Sequence, residues 1–362
     1  MSGDHDIFLG IDLGTTNSAA ALFDGDRIDL VRNARGEVLT PSIVRIDARA
    51  RVTVGAKARR FLESDPNNTL TEFKRLMGTG RMLRFPASGE TRKPESLAAE
   101  ILRSLLHDAR EQSGLEHTEA VVAVPALFEL PQASATSEAA TQAGLRRVEL
   151  IQEPVASALA AGWHASDCSG AWLVYDLGGG TFDVSLLQSR DGLLRVVAHD
   201  GDNFLGGRDM DNAVVDWALE VMSQQQARTL RRSDPQVAPL VATLKALSEE
   251  AKIELSRAER TELTIGPVEL ADGTTIEDEL ILSRAELERI SIPIIDRTLR
   301  VCTRLLESQG VGEGDLERIV LVGGPTVMPY LRRSISEALR GCKSTMDTPN
   351  DCTSASAART RA

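Results

Sequence analysis

The chain has 362 residues, 42% hydrophobic but only 4% aromatic, and its 53 acidic and 41 basic side chains leave a formal net charge of −12. That length exceeds what one core usually organises, so two lobes of roughly 150–180 residues are expected, with an α/β core of Leu, Val, Ile and Ala in strands covered by helices. The acidic balance excludes a nucleic-acid backbone as main partner, because such binders cluster Lys and Arg to displace counterions.

In chain order, the acidic Ser2-Gly3-Asp4-His5-Asp6 leads straight into an apolar strand. No basic leader and no apolar stretch long enough to span a bilayer is present, so a cytoplasmic protein without a membrane is expected. The strand Phe8 to Asp12 runs into Leu13-Gly14-Thr15-Thr16, and an apolar pattern resumes from Ala19 to Phe23. That is a glycine-tipped hairpin. Pro94 to Arg110 starts with Pro and repeats apolar residues at Leu97, Ile101, Leu105 and Ala109, which predicts an amphipathic helix. A buried strand, Ala120 to Val124, then ends at Pro125.

The first hairpin has an echo. Leu173-Val174-Tyr175-Asp176-Leu177-Gly178-Gly179-Gly180-Thr181 repeats the strand, Asp, Leu-Gly and hydroxyl pattern, and Phe182 to Leu187 supplies the second strand. Two related lobes are implied, residues 1–168 and 169–345. From about Asp209 to Ser291 come a helix through Val214, Trp217 and Val221, a second helix from about Pro239, and short strands near Thr261 to Leu282. Residues 209–290 therefore read as a subdomain inserted in lobe II, and about 41–112 as one inserted in lobe I. Another buried strand, Arg318 to Val322, ends at Gly323-Gly324. From Gly341 onward no Leu, Ile, Val or aromatic residue occurs, so residues 346–362 are expected to form a divergent, disordered tail. Cys168, Cys302, Cys342 and Cys352 show neither Cys-x-x-Cys nor Cys-His spacing, which argues against a zinc site or a disulfide framework.

A strand ending in Asp and followed by Gly-Thr-Thr brings backbone amides close to phosphate oxygens and aims a carboxylate at the same point through a metal and its waters. One such turn is ordinary hairpin chemistry. Two copies facing across a cleft would clamp the β- and γ-phosphates and set Asp12 and Asp176 on either flank of one Mg²⁺, a strategy of positioning and charge neutralisation. No Gly-x-x-x-x-Gly-Lys-Ser/Thr loop, His-Glu-x-x-His or Gly-x-Ser-x-Gly is present. On the helix from Pro239, the stripe Leu240, Leu244, Leu247, Ala251 and Leu255 leaves Glu249, Lys252 and Ser256 on the opposite face, where they either meet one ligand or form a solvated polar face.

Seven segments together resemble the DnaK-like chaperones, the seventy-kilodalton heat-shock family of actin-fold ATPases. They are Gly10 to Ser18, Phe73-Lys74-Arg75-Leu76-Met77-Gly78, Val122 to Ala126, Glu153-Pro154, Asp176 to Asp183, Leu205 to Asp211 and Val320 to Gly324. The compact Gly78 to Arg92 connection and the Lys93-Pro94-Glu95-Ser96-Leu97 start are similar to the HscC-type branch. The resemblance implies an actin-like ATPase fold, with each lobe built on a ribonuclease-H-like sheet, and hydrolysis of Mg·ATP to ADP. It implies phosphate contacts from Gly14, Thr15, Thr16 and Asn17 and from Gly178, Gly179, Gly180 and Thr181. Catalytic roles would fall to Lys74, Glu153, Asp176 and Thr181, metal roles to Asp12, Asp176 and Asp183, with K⁺ near Asp183. Nucleoside contacts would come from Gly206, Gly207, Glu249, Lys252, Ser256, Gly323 and Gly324. Read alone, Lys74 suits a solvated helix charge, and Glu153 a carboxylate complementing a helix dipole.

The resemblance further implies a J-domain co-chaperone and a nucleotide-exchange factor as partners. The family's peptide-binding module would lie beyond Ala362, so no client-peptide site is expected in this chain. Departures from the pattern stand at Leu127, Ala133, Arg208, Pro325, Val327 and the segment after Thr348. Those at Pro325 and Val327 imply a weaker grip on the nucleoside. They keep open a nucleotide-binding regulator with little hydrolysis, and a filament former or sugar kinase of the same superfold is the remoter alternative.

Overall fold

The computed structural model describes residues 7–62, 64–126, 128–164, 170–226, 228–340 and 344–347. The expectations placed on Ser2 to Asp6, Leu127, Cys168, Cys342 and the tail from Thr348 lie outside these residues. The chain divides into two compact units: the first takes in the described residues of Met1–Ser169, Leu187–Val196 and Asp347–Ala362, the second those of Gly170–Leu186 and Val197–Met346.

In the first unit, β1 (Phe8–Asp12) and β2 (Asn17–Phe23) form the antiparallel hairpin, with Ile11 opposite Ala20. Their side chains alternate between faces, as strand geometry requires. Leu9, Ile11, Ala20 and Leu22 enter the main core, whereas Ala21 and Phe23 pack with Phe8, Ile28 and Leu30 on the other face. β3 (Ile28–Leu30) extends the sheet beyond β2, while β4 (Glu119–Val124) and then β5 (Arg147–Gln152) extend it in parallel beyond β1. Asp12 at the end of β1 pairs in register with Ala123 of β4.

Helix α1 (Pro94–Ser113) covers this core with Leu97, Ile101, Leu102, Leu105 and Ala109, and packs against α2 (Leu130–Ala143). Its ends follow chemistry that the sequence carries. Pro94 occupies the first turn, where a missing N–H costs nothing, and Gly114 takes the left-handed conformation that closes the helix. At the start of α2 the Glu129 N–H donates to Gln132 Oε1 at 3.0 Å, which satisfies one orphan donor of that end. The short helix α3 (Glu153–Ala160) follows directly on β5.

The local plan recurs in a second sheet, most of which belongs to the second unit, with residues 187–196 of its strands counted in the first. Strands β6 (Gly170–Leu177) and β7 (Phe182–Arg190) are joined by the second glycine turn, β8 (Leu193–Asp202) continues the sheet on one side, and β11 (Leu316–Val322) runs parallel to β6 on the other. Asp176 stands in register with Val322, immediately before Gly323. Tyr175 and Phe182 meet with ring centroids 4.7 Å apart, and the buried Tyr175 hydroxyl is 2.7 Å from Thr298 Oγ1.

Three helices follow and share one core with it: α4 (Gly207–Gln226), α5 (Ala238–Glu254) and α6 (Arg284–Ser308), the last capped by Ser283. The strands foreseen near Thr261 to Leu282 are one long hairpin, β9 (Arg260–Glu269) with β10 (Thr275–Ser283), whose Leu263, Ile265, Leu280 and Leu282 join the core. Helix α7 (Pro329–Ala338) follows the Gly323-Gly324 turn. The expected start of the disordered tail at residue 346 is corrected: Ser344–Asp347 forms β12, an edge strand beside β11. An edge strand is held by backbone hydrogen bonds, so it needs no apolar face of its own. Among the described residues no helix is long and apolar enough to cross a membrane.

Candidate functional site

The first glycine turn is tied down from behind. A methyl group on Gly14 would stand 1.9 Å from the Asn17 carbonyl oxygen, so only glycine fits this close approach. The Gly14 N–H donates to Ser18 Oγ at 3.1 Å, Ser42 Oγ donates to the Gly14 carbonyl at 2.7 Å, and the Ser42 N–H donates to the Thr16 carbonyl at 2.8 Å. The two buried hydroxyls of Ser18 and Ser42 are 2.9 Å apart. Thr15 is left half-buried, and Thr16 and Asn17 exposed.

Beside β1 sits the charge cluster of the first unit. Lys74, in the 3₁₀ turn Phe73–Leu76, is only 5% exposed, which rules out a solvated surface charge. Its Nζ lies 3.2 Å from Glu153 Oε1 and 5.2 Å from the centre of the Phe128 ring. Glu153 opens α3, so its carboxylate meets both the helix N-terminus and the lysine. Asp12 is close enough to feel both. Burial, and then the Glu153 carboxylate, raise its pKa to about 7, with Lys74 opposing. Two carboxylates and one ammonium thus share a desolvated corner that is short of positive charge.

The turn that carries Lys74 is wedged in place. Gly78 has φ +76°, and a methyl there would meet the Pro131 carbonyl carbon at 2.8 Å, while its N–H donates to the buried Glu95 Oε1 at 2.8 Å.

In the second unit, Gly178 donates its N–H to the Thr181 carbonyl at 2.9 Å and so closes the second turn. The start of α4 braces it: Gly207 N–H donates to the Gly178 carbonyl at 2.9 Å and Arg208 N–H to the Gly179 carbonyl at 2.8 Å. A methyl on Gly206 would lie 2.5 Å from the Gly180 nitrogen. Gly323, with φ +92°, brings its backbone against Leu177, and a methyl there would be 2.1 Å from the Leu177 carbonyl oxygen and 3.1 Å from Asp176 Oδ1. Asp183 presents Oδ1 at 3.1 Å from the corresponding position of Gly201.

The same corner gathers most of the nucleoside candidates. Lys252 Nζ donates to the Gly207 carbonyl at 3.2 Å and pairs with Asp211 at 2.5 Å. Burial raises the Asp211 pKa, opposed by Lys252, and the exposed Glu249 is near enough to raise it further. Pro325 is buried, with its ring 3.2 Å from the position of a Gly207 methyl, whereas Val327 is exposed. Ser256 is not aimed at this group: its hydroxyl donates to the Lys252 carbonyl one turn back, at 3.3 Å. Gly324 begins a 3₁₀ turn in open space.

No group of three or more His, Cys, Asp or Glu side chains able to hold a metal occurs among the described residues. A cation bound through its own waters needs fewer protein ligands than that. Sequence reasoning missed Ser42, Phe128, Glu95 and Asp211, and no local signal marks the first three, because their partners lie 17 to 54 residues away, farther than any helix or hairpin period. Asp211 lies inside a recognised segment whose role at Lys252 only the fold displays.

The Hsp70 protein family model matches residues 8–84 and 79–358. The chaperone protein DnaK of Mycoplasmopsis pulmonis is 36% identical over 335 residues, covering 92% of this chain and 54% of that protein. DnaK of Deinococcus proteolyticus is 35% identical over 351 residues, 91% of this chain and 55% of that protein. DnaK of Psychrobacter cryohalolentis is 36% identical over 356 residues, with 91% and 54% covered. The chain thus spans about half the length of the curated relatives it matches.

Proposed function

The chain belongs to the Hsp70 family, and from that premise we propose that it binds Mg·ATP and hydrolyses it to ADP and phosphate. The observation that carries the proposal is Lys74, a buried ammonium held at 3.2 Å by Glu153 beside the carboxylate of Asp12. A buried lysine is costly unless its charge is used, and this one sits among the acidic groups that a cation and an attacking water require.

In this proposal the two glycine turns, Gly14 to Asn17 and Gly178 to Thr181, offer backbone amides and hydroxyls to phosphate oxygens. Gly206, Gly207, Lys252, Gly323 and Gly324 hold the nucleoside, with Glu249 and Ser256 at its margin. Asp12, Asp176 and Asp183 are the carboxylates for Mg²⁺ and for a monovalent cation such as K⁺. The corner at Asp12 and Glu153, with more carboxylates than ammoniums, fits a divalent cation, which when bound would neutralise charge on the phosphates. Lys74 orients water for attack on the γ-phosphorus, Glu153 fixes the ammonium that does so, and Thr181 positions the phosphate. Hydrolysis forms the bond from water oxygen to phosphorus and breaks the bond to the β,γ-bridging oxygen.

A chaperone ATPase of this family would take a J-domain protein and an exchange factor as partners, in the cytoplasm, and we include both in the proposal. A second reading, ATP binding with negligible turnover, is supported by Pro325 and the exposed Val327 in the nucleoside corner. Calorimetric titration with Mg·ADP and Mg·ATP tests the first step: tight binding lost in EDTA is expected, and no binding in Mg²⁺ would overturn the proposal.

A further inference from the structure

Arg208 is the second residue of α4, and a cation there opposes the helix dipole, which concentrates positive charge at that end. Two carboxylates stand near it: Asp209 accepts the Gly206 N–H at 2.8 Å, and Asp211, paired with Lys252 at 2.5 Å, also feels the Arg208 charge. The arginine is nevertheless placed with care. Its Nε is 3.4 Å from the Gly179 carbonyl, which already accepts the Arg208 backbone N–H at 2.8 Å. Its guanidinium lies beside Gly180, with Nη2, Cζ and Nε at 2.7, 3.0 and 3.1 Å from where a methyl would project. Gly180 has no side chain, and the guanidinium uses that space. Arg208 itself is exposed to solvent.

We propose that Arg208 is a phosphate-binding residue of this chain, its guanidinium contacting an oxygen of the polyphosphate held at Gly178 to Thr181. The inference rests on the nucleotide reading above and adds to it a charged side chain at a turn otherwise limited to glycines and one threonine. The physical case has two parts that meet at one point. The Gly207 and Arg208 amides of α4 consume the carbonyls of Gly178 and Gly179, so neither carbonyl is left to repel an anion, and the Arg208 guanidinium lies against Gly180 of the same turn. Both favour an anion there, and a planar guanidinium matches the geometry of phosphate oxygens.

The test is calorimetric titration of the whole chain with Mg·ADP at low and moderate salt, for wild type and for Arg208→Lys, Arg208→Gln and Arg208→Glu. Thermal melts of the nucleotide-free variants run alongside. The expected result is about tenfold weaker binding for Gln, a further loss for Glu, and substantial recovery for Lys, with a shallower salt dependence for Gln. Melting temperatures are expected to stay close to wild type, because the residue is exposed. Equal affinity for wild type and Gln would overturn the role of Arg208 and leave the nucleotide reading standing. Equal losses for Gln, Glu and Lys would also overturn it, since a brace of the turn is insensitive to charge. A wild-type chain that binds no Mg·ADP would overturn the nucleotide reading, and the proposal with it.

Discussion

Asp12 is a carboxyl whose surroundings move it far from its behaviour in water. In the unfolded chain a carboxyl of this kind loses its proton near pH 4, whereas in the folded chain burial and Glu153 hold the proton to about pH 7. Between those values the folded state binds more protons, so this group lowers stability as pH rises through that window and adds nothing further above it. Asp12→Asn removes the effect. Without metal, the variant is expected to be more stable than wild type by ~2–4 kcal/mol at pH 8, with the gap closing toward pH 5, as read from urea unfolding. A gap independent of pH would show that Asp12 is not desolvated. Ser42 makes a smaller, neutral contribution. Ser42→Ala leaves the Gly14 carbonyl and Ser18 without that hydroxyl, so a loss of about 1 kcal/mol in stability and a several-fold loss in Mg·ADP affinity are expected.

At the level of elements, the turn that carries Lys74 depends on its wedge between α1 and α2. Gly78→Ala forces a side chain into a left-handed conformation and against the Pro131 carbonyl, so a loss of about 2–4 kcal/mol is expected from thermal or urea unfolding, together with slower turnover as Lys74 shifts. Unchanged stability would mean that the start of α2 moves freely. Both glycine hairpins, α1 and the paired strands that follow were legible in the sequence because each carries its own signal. An apolar run ends in Asp and Gly at the hairpins, and apolar residues recur every three or four positions in α1. The supports were not legible. Ser42 behind Gly14, Glu95 under Gly78 and Phe128 beneath Lys74 are brought together by sheet register and helix packing, which no spacing in the chain encodes. The stripe on α5 was read correctly as apolar, with Leu240, Leu244, Ala251 and Leu255 buried, yet its polar partner Ser256 is turned onto its own helix. A serine four residues past a free carbonyl has that local option in any helix.

For the whole molecule, the plan of hairpin plus parallel strand recurs, and each time the Asp at or next to the end of the first strand is in register with a residue at or next to the end of a later one, Ala123 or Val322. Each unit carries one glycine turn, and the first also carries Lys74 with Glu153. The central claim is that these parts make an ATPase. Single-turnover hydrolysis of Mg·ATP by the whole chain, beside its Lys74→Ala variant, tests it most directly. Slow release of phosphate by wild type, reduced at least about a hundredfold in Lys74→Ala while Mg·ADP affinity changes little, is the predicted result. Equal rates in the two proteins, or a wild type that binds Mg·ATP and never turns it over, would contradict the account.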